Sequence, residues 1–195
     1  TLVLALLLAA CGGGGGASGG SGSVATTGPG GKAIKSAGGS AINVQAHNYW
    51  KDALASFQKY ETQGGWNENA CGSVSDAFEK AADAQKDFVE AIFMQGLSLA
   101  RCEKDEEALA LYNKALRINS KFCKARVGVG LDALKHGRDS AAEREFAQSV
   151  ADDPQCTEGY VNLASMQTRK GVAGNKDALS NLRRALAIDA QYLPA

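Results

Sequence analysis

The sequence lacks the residue patterns on which most enzyme sites depend. Only two histidines, His47 and His136, occur among its 195 residues. It contains no His-Glu-x-x-His pair, no phosphate-binding loop and no pattern typical of a Ser-His-Asp triad. No Cys-x-x-Cys occurs either, which argues against thiol redox catalysis and thiolate metal clusters. We therefore expect no enzyme activity, no catalytic residues, no metal ion and no organic cofactor.

The chain also lacks an excess of either charge. Lys and Arg together number 21 and Asp and Glu together number 21, so the formal net charge is zero. Nucleic-acid-binding domains usually carry a basic excess, so we expect no nucleic-acid partner, and no motif indicates a small-molecule substrate. Acidic residues are absent before position 41, and 13 of the 23 glycines lie between Gly12 and Gly39. Two segments of different composition are therefore joined end to end.

The first eleven residues, Thr-Leu-Val-Leu-Ala-Leu-Leu-Leu-Ala-Ala-Cys, form an apolar run. The run is too short for a transmembrane helix, which needs about 20 residues. It is typical of the apolar centre of a secretory signal peptide, without the charged start and the initiator methionine. We assign residues 1–10 to a signal peptide whose beginning is missing.

The end of this run, Leu8-Ala9-Ala10-Cys11, resembles the lipobox of bacterial lipoproteins. The resemblance implies cleavage before Cys11 and a covalent lipid on its thiol, which would attach the chain to a membrane. No Asp follows Cys11, which favours, by analogy, an outer-membrane lipoprotein that faces the periplasm. The alternative is a buried N-terminal helix with an incidental cysteine.

Residues 11–41 are predicted to be a lipidated cysteine followed by a flexible tether. This segment is rich in Gly, Ser, Ala and Thr. Such a composition cannot bury enough apolar surface to offset the entropy lost on ordering. We therefore expect a coil that holds a folded domain away from the membrane.

The rest of the chain repeats with a period of 34 residues. The recurring positions are small or apolar, with one aromatic: Gly96, Leu99, Ala108, Tyr112 and Ala115, then Gly130, Ala133, Ala142, Phe146 and Ser149. This pattern resembles the tetratricopeptide repeat (TPR). The resemblance implies that each repeat is an antiparallel helix pair and that several pairs must stack to bury their apolar faces.

The predicted fold class is therefore all-α, an α-solenoid of about four TPR-like helix hairpins in residues 42–195. The repeats are assigned to residues 47–88, 89–122, 123–156 and 157–192. No polar capping helix follows the last repeat, so we expect the protein to continue past Ala195 or a partner to cover this end. The alternative is an unrelated helical bundle.

Four cysteines remain if Cys11 carries lipid, and export permits them to form disulfides. They allow three connectivities. The helix pairs implied by the TPR resemblance bring Cys71 close to Cys102 and Cys123 close to Cys156, and we predict these two bonds. The alternative is four free buried thiols.

The TPR resemblance also implies that the first helix of each repeat lines a groove for peptides or partner helices. The positions that it assigns to this groove are Glu90, Phe93, Leu97, Arg101, Lys124, Val127, Leu131, Lys135, Glu158, Val161, Asn162, Ser165 and Arg169. Arg101, Lys135 and Arg169 recur at steps of 34 residues. They are either a basic ladder for an acidic segment or cations that offset the helix dipole, and both interpretations stay open.

Trp66 is a further candidate, because it lies in an inserted Gly-Gly-Trp-Asn loop. Aromatic residues on loops are often contact points. The alternative is a ring that folds back over the first repeat.

The combination of lipobox, Gly-rich tether and Ala-rich repeats resembles TPR lipoproteins of myxobacterial gliding-motility complexes. The resemblance implies a lipid-anchored scaffold or adaptor that binds protein partners in the Gram-negative cell envelope, in a motility or secretion and assembly complex. The alternatives are a regulator that binds glycan or a cell-wall enzyme through the Trp66 loop, and an assembly factor for outer-membrane proteins or pili.

Overall fold

The computed structural model describes residues 25–28, 31–190 and 192. Cys11, the signal peptide and the first part of the tether lie outside these residues. The described part contains eight helices: α1 (Val44–Gln63), α2 (Glu68–Ala84), α3 (Val89–Ala100), α4 (Asp105–Ile118), α5 (Cys123–Lys135), α6 (Asp139–Asp152), α7 (Thr157–Thr168) and α8 (Val172–Ile188). The predicted fold class is confirmed, because these helices form four consecutive hairpins. None of them is both long enough and apolar enough to cross a bilayer.

The 34-residue spacing places a small residue of one helix against an aromatic ring of the next. A Cβ added to Gly96 would lie 3.0 Å from the Tyr112 ring, and one added to Gly130 would lie 2.5 Å from the Phe146 ring. Tyr112 and Phe146 are buried. Glycine therefore lets the two helices of each pair approach closely enough for the ring to fill the space between them.

The helices divide into two compact units, which we call the N-terminal unit (residues 25–120) and the C-terminal unit (residues 121–192). The N-terminal unit holds α1 to α4 around an aromatic core. The Trp50 ring lies 5.3 Å from Phe78 and 5.1 Å from Phe88, measured between centroids. Phe78 and Phe88 are fully buried. Contacts between tilted rings at these distances add to the stabilisation that burial provides.

The C-terminal unit holds α5 to α8. Its core includes Val127, Phe146, Leu163 and Met166. The last helix keeps an apolar stripe in solvent, in which the exposed side chains are Val172, Leu179, Leu182 and Leu186.

Residues 31–43 differ from the coil predicted as far as residue 41. Antiparallel bridges join Thr27 to Ala33 and Lys35 to Ala41. The Ile42 N–H donates to the Ile34 carbonyl over 2.7 Å, and Ile42 is buried. The segment is ordered because its backbone groups are hydrogen-bonded and because an isoleucine anchors it, so composition alone was misleading here.

The structure contains both predicted disulfides. Cys71 in α2 is bonded to Cys102 just after α3, with 6.3 Å between their Cα atoms. Cys123, the first residue of α5, is bonded to Cys156, which precedes α7, with a Cα separation of 5.9 Å. Each bond closes a loop of about 30 residues within one unit, which is worth about 3–4 kcal/mol in the chain-entropy account.

Candidate peptide-binding surfaces

Two of the predicted groove positions on α3, Phe93 and Leu97, are buried. Phe93 is 6% exposed and Leu97 is 7% exposed. The Phe93 ring packs against Tyr112, with 5.6 Å between the centroids. The prediction that these two side chains are accessible anchors is therefore corrected. The repeat register identifies the face of the helix on which they lie, but it does not reveal what covers that face.

Glu90, at the start of the same helix, binds the N-terminal segment. The Ala37 N–H donates to Glu90 Oε1 over 2.8 Å. The Asn119 side-chain amide, directly after α4, donates to the Ala37 carbonyl, also over 2.8 Å. Side chains from two different helical regions thus hold both polar backbone groups of a single residue. We call Glu90 and Asn119 the backbone clasp.

The residues on either side of Ala37 fit closely against the loop before α3. The Ser36 hydroxyl donates to the Asp87 carbonyl over 2.7 Å and accepts from the Gly38 N–H over 2.8 Å. A Cβ added to Gly38 would overlap the Asp87 carbonyl oxygen. Ser36 is 4% exposed. The position of Ser36 thus favours a hydroxyl, and that of Gly38 favours a residue without a side chain.

Asn43 fixes the far end of the same segment. Its N–H donates to Gln85 Oε1 over 2.9 Å, and its amide group donates to the Ala84 carbonyl over 2.9 Å. Its Oδ1 accepts from the Ala46 N–H and so caps α1. An open cavity of about 300 Å³ lies beside these contacts, lined by Ala25, Ser40, Ala41, Asn43, Gln85 and Asp87.

The sequence prediction missed Asn119 and Asp87 as contact residues. Asn119-Ser120 stands where the next repeat has Asp153-Pro154. That departure from the repeat pattern was the available signal for Asn119. No signal pointed to Asp87, because it contributes its backbone carbonyl.

The predicted basic ladder contains two cations that are paired with carboxylates. Arg101 is bidentate to Glu61, with 2.7 Å from Nε to Oε1 and 2.9 Å from Nη2 to Oε2. Arg169 Nη2 lies 3.1 Å from Asp139 Oδ2, and both side chains are about half exposed. Lys135 is exposed in the last turn of α5. The three positions therefore do not form a row of unpaired cations.

The Trp66 loop folds back over α1. The indole lies 5.3 Å from Phe57 and 5.2 Å from Tyr60, and its N–H donates to Glu61 Oε1 over 3.1 Å. The ring is half-buried. Of the two interpretations left open by the sequence, this geometry favours a ring that covers the first hairpin.

In the C-terminal unit, the structure brings the starts of α5 and α7 together. Lys124 Nζ lies 3.9 Å from Glu158 Oε1. Val127 is 4% exposed and belongs to the core, so it is not an accessible groove anchor, contrary to the prediction. Leu131 is only partly buried.

The predicted positions on α7 are more accessible than those on α3. Val161 and Asn162 are half-buried and Ser165 is exposed. The Asn162 amide donates to the Glu158 carbonyl over 2.8 Å, which fixes it along its own helix. Partly exposed side chains, some apolar and some polar, therefore form a surface along α5 and α7.

Cys123, Cys156 and Glu158 bring possible metal-ligand atoms within 4.8 Å of one another. Both sulfur atoms are shared in a disulfide, however. This group therefore offers no thiolate to a metal ion.

Within the described residues, the pKa values of His47, Tyr192 and Asp83 are shifted. Burial first, and then Lys51, lower the pKa of His47. Burial first, and then Glu158 and Asp189, raise the pKa of Tyr192 to about 12. The hydrogen bond from Lys86 lowers the pKa of Asp83 on the surface.

The chain is similar in fold to several solved helical-repeat proteins. A double mutant of MamA RS-1 is 16% identical, with 77% of this chain and 78% of that chain covered and a TM-score of 0.53. MamA from residue 41 to its end, from Desulfovibrio magneticus RS-1, is 17% identical with the same coverage and a TM-score of 0.52. YrrB, described as a TPR protein with an unusual peptide-binding site, is 22% identical, with coverages of 75% and 70% and a TM-score of 0.49. No family model and no curated protein matches the chain.

At these identities the similarity concerns the fold. Together with the four hairpins and the close approach of Gly96 to Tyr112 and of Gly130 to Phe146, it supports a TPR fold.

Proposed function

We propose that this chain is an adaptor that binds protein partners through the face formed by α5 and α7. The observation that carries the proposal is that the starts of these two helices lie side by side, with partly exposed residues along both. Lys124 and Glu158 join their first turns, and Leu131, Val161 and Ser165 keep part of their surface in solvent. Such a helix face suits recognition of a short segment of another protein.

The chemistry of this face favours a segment with apolar side chains and a carboxylate. Leu131 and Val161 offer apolar surface, and Arg169 supplies a cation at the end of α7. The pairing of Arg169 with Asp139 is about half exposed, and exposed pairs of this kind contribute only about 0–1 kcal/mol. An incoming carboxylate can therefore exchange with Asp139 at little cost.

The proposal includes a lipid anchor on Cys11 and a location at the periplasmic face of the outer membrane. It is supported by the Leu-Ala-Ala-Cys sequence and the Gly-rich tract that follows. Within the envelope we propose a role in a motility complex, on the resemblance to myxobacterial TPR lipoproteins, ahead of roles in secretion, pilus or outer-membrane protein assembly. Replacing Cys11 with Ser is expected to move the protein from the membrane fraction to the soluble fraction. Unchanged partition would refute the anchor.

The alternative of binding to glycan or to a cell-wall enzyme relied on Trp66. Because that ring packs against Phe57 and Tyr60, the geometry gives this alternative no specific support. Co-sedimentation of the protein with peptidoglycan, lost on Trp66→Ala, would restore it.

Photo-crosslinking in cells tests the adaptor role. A crosslinking amino acid at Leu131 is expected to capture specific proteins. The same amino acid at Arg144, which is exposed on α6, is the matched control and is expected not to capture them. Equal capture at both positions, or no protein captured at Leu131, would contradict the proposal.

A further inference from the structure

Ala37 lies in a tight turn, which is closed by a hydrogen bond from the Gly39 N–H to the Ser36 carbonyl over 2.8 Å. The Ala37 N–H donates to the side chain of Glu90, which lies 53 residues further along the chain. Its carbonyl accepts from the side chain of Asn119, which lies 82 residues further along. Hydrogen bonds of this kind to the main chain hold the turn whatever the side chain of Ala37 is. The clasp therefore has the chemistry of a site for peptide backbone.

The neighbouring contacts add a preference for sequence. The Ser36 hydroxyl is bound by the Asp87 carbonyl, and that same carbonyl leaves no room for a Cβ at Gly38. A segment with Ser before the clasped residue and Gly after it fulfils both requirements. A segment with a larger residue in place of Gly would collide with backbone, which cannot move aside as a flexible side chain does.

We infer that Glu90, Asn119 and the Asp87 carbonyl form a recognition site for a Ser-x-Gly turn, and that residues 36–38 fill this site in cis. The inference deepens the proposed function and rests on it, because it identifies a second partner surface, in the N-terminal unit. A protein partner that carries an accessible Ser-x-Gly segment competes with residues 36–38 for the clasp.

Connection through the chain makes the cis segment a strong competitor. Only residues 39–43 separate it from the start of α1. A short link of this kind gives an effective concentration on the order of millimolar. A free peptide therefore binds weakly until the cis segment is displaced, and weakening the cis contacts raises its apparent affinity.

The test uses the labelled peptide Lys-Ser-Ala-Gly-Gly-Ser, which copies residues 35–40, and the whole 195-residue chain. Gly38→Val forces the cis segment away from the Asp87 carbonyl, and Ala37→Pro removes the N–H that Glu90 accepts. Gly72→Ala is the matched control, because an added Cβ there has no atom within 4 Å. Circular dichroism verifies that each variant keeps its helices.

At least one of the two displacing variants is expected to bind the peptide tenfold or more tightly than the unaltered chain or the Gly72→Ala control. Adding Asn119→Ala to that variant is expected to abolish the gain. A peptide with Val in place of the first Gly is expected not to bind. If neither displacing variant binds the peptide although it keeps its helices, the inference is overturned. It is also overturned if Asn119→Ala leaves binding intact.

A second copy of the chain is the other possible source of the segment. If the unaltered chain forms a dimer in sedimentation that Gly38→Val dissociates, occupation in cis is overturned. The result of this test is independent of crosslinking at Leu131, which lies in the C-terminal unit. Failure of the clasp and failure of the adaptor role are therefore distinguishable.

Discussion

Replacing Gly130 with Ala is expected to destabilise the C-terminal unit, although alanine is the better helix former. The added Cβ would lie 2.5 Å from Cε1 and 2.8 Å from Cδ1 of Phe146, whose ring is fully buried. A rigid ring inside a close-packed core has no room to withdraw, and overpacking of this kind costs about 1–3 kcal/mol. The gain in helix propensity is about 1 kcal/mol. Because the contacts are so short, we expect the upper part of the cost and a net loss of about 1–2 kcal/mol.

Urea denaturation of the oxidised chain measures this loss. With a slope of about 1–3 kcal/mol per molar urea, the midpoint should fall by roughly 0.5–1 M. Gly72→Ala, where the new methyl meets no atom within 4 Å, is expected to gain about 0.5–1 kcal/mol instead.

A double-mutant cycle identifies the ring as the cause. Phe146→Leu removes ring atoms that face the new methyl group, so the cost of Gly130→Ala should shrink by about 1 kcal/mol or more in that background. If Gly130→Ala stabilises the protein, or if its cost is the same with and without the Phe146→Leu substitution, the packing argument is refuted.

Three further predictions concern the disulfides and pH. Changing Cys123 and Cys156 together to Ala should lower the free energy of unfolding by about 3–4 kcal/mol, measured in urea without reductant, and an unchanged midpoint would contradict this. His47 binds its proton more weakly in the folded state, so stability should fall as pH drops below 6.5, and His47→Gln should remove that part of the loss in pH-dependent melting. Tyr192, with a pKa raised from 10.0 to about 12, keeps its proton longer when folded, so its contribution is complete below pH 10 and is lost as pH rises towards 12. Absorbance titration of tyrosinate should show a tyrosine that ionises near pH 12, and this step should be missing in Tyr192→Phe. Identical curves for the two proteins would refute the shift.

The sequence predicted the hairpins because packing at the repeat positions is local. A glycine in one helix and an aromatic in the next, such as Gly130 and Phe146, require each other at a fixed spacing. The same register placed Cys71 near Cys102 and Cys123 near Cys156, so both disulfides followed from it.

The clasp was not predictable in this way. Its two hydrogen bonds join residues that are 53 and 82 positions apart, and a segment rich in Gly and Ser resembles a coil by composition. The burial of Phe93 and Leu97 was missed for a related reason, since the register defines a helix face without identifying the groups that cover it. Ile34 within the Gly-rich segment and Ile42 directly after it were the apolar signals that this part of the chain is ordered.

The central claim is that the chain works by docking other proteins on the face of α5 and α7. Its most direct test uses a partner protein that was captured at Leu131 and then purified. Titration calorimetry measures the affinity of this partner for variants of the chain. Leu131→Glu places a charge on the proposed docking face and is predicted to weaken binding at least tenfold, whereas Arg144→Glu on α6 is predicted to leave it unchanged. Equal affinities for the two variants would contradict the account.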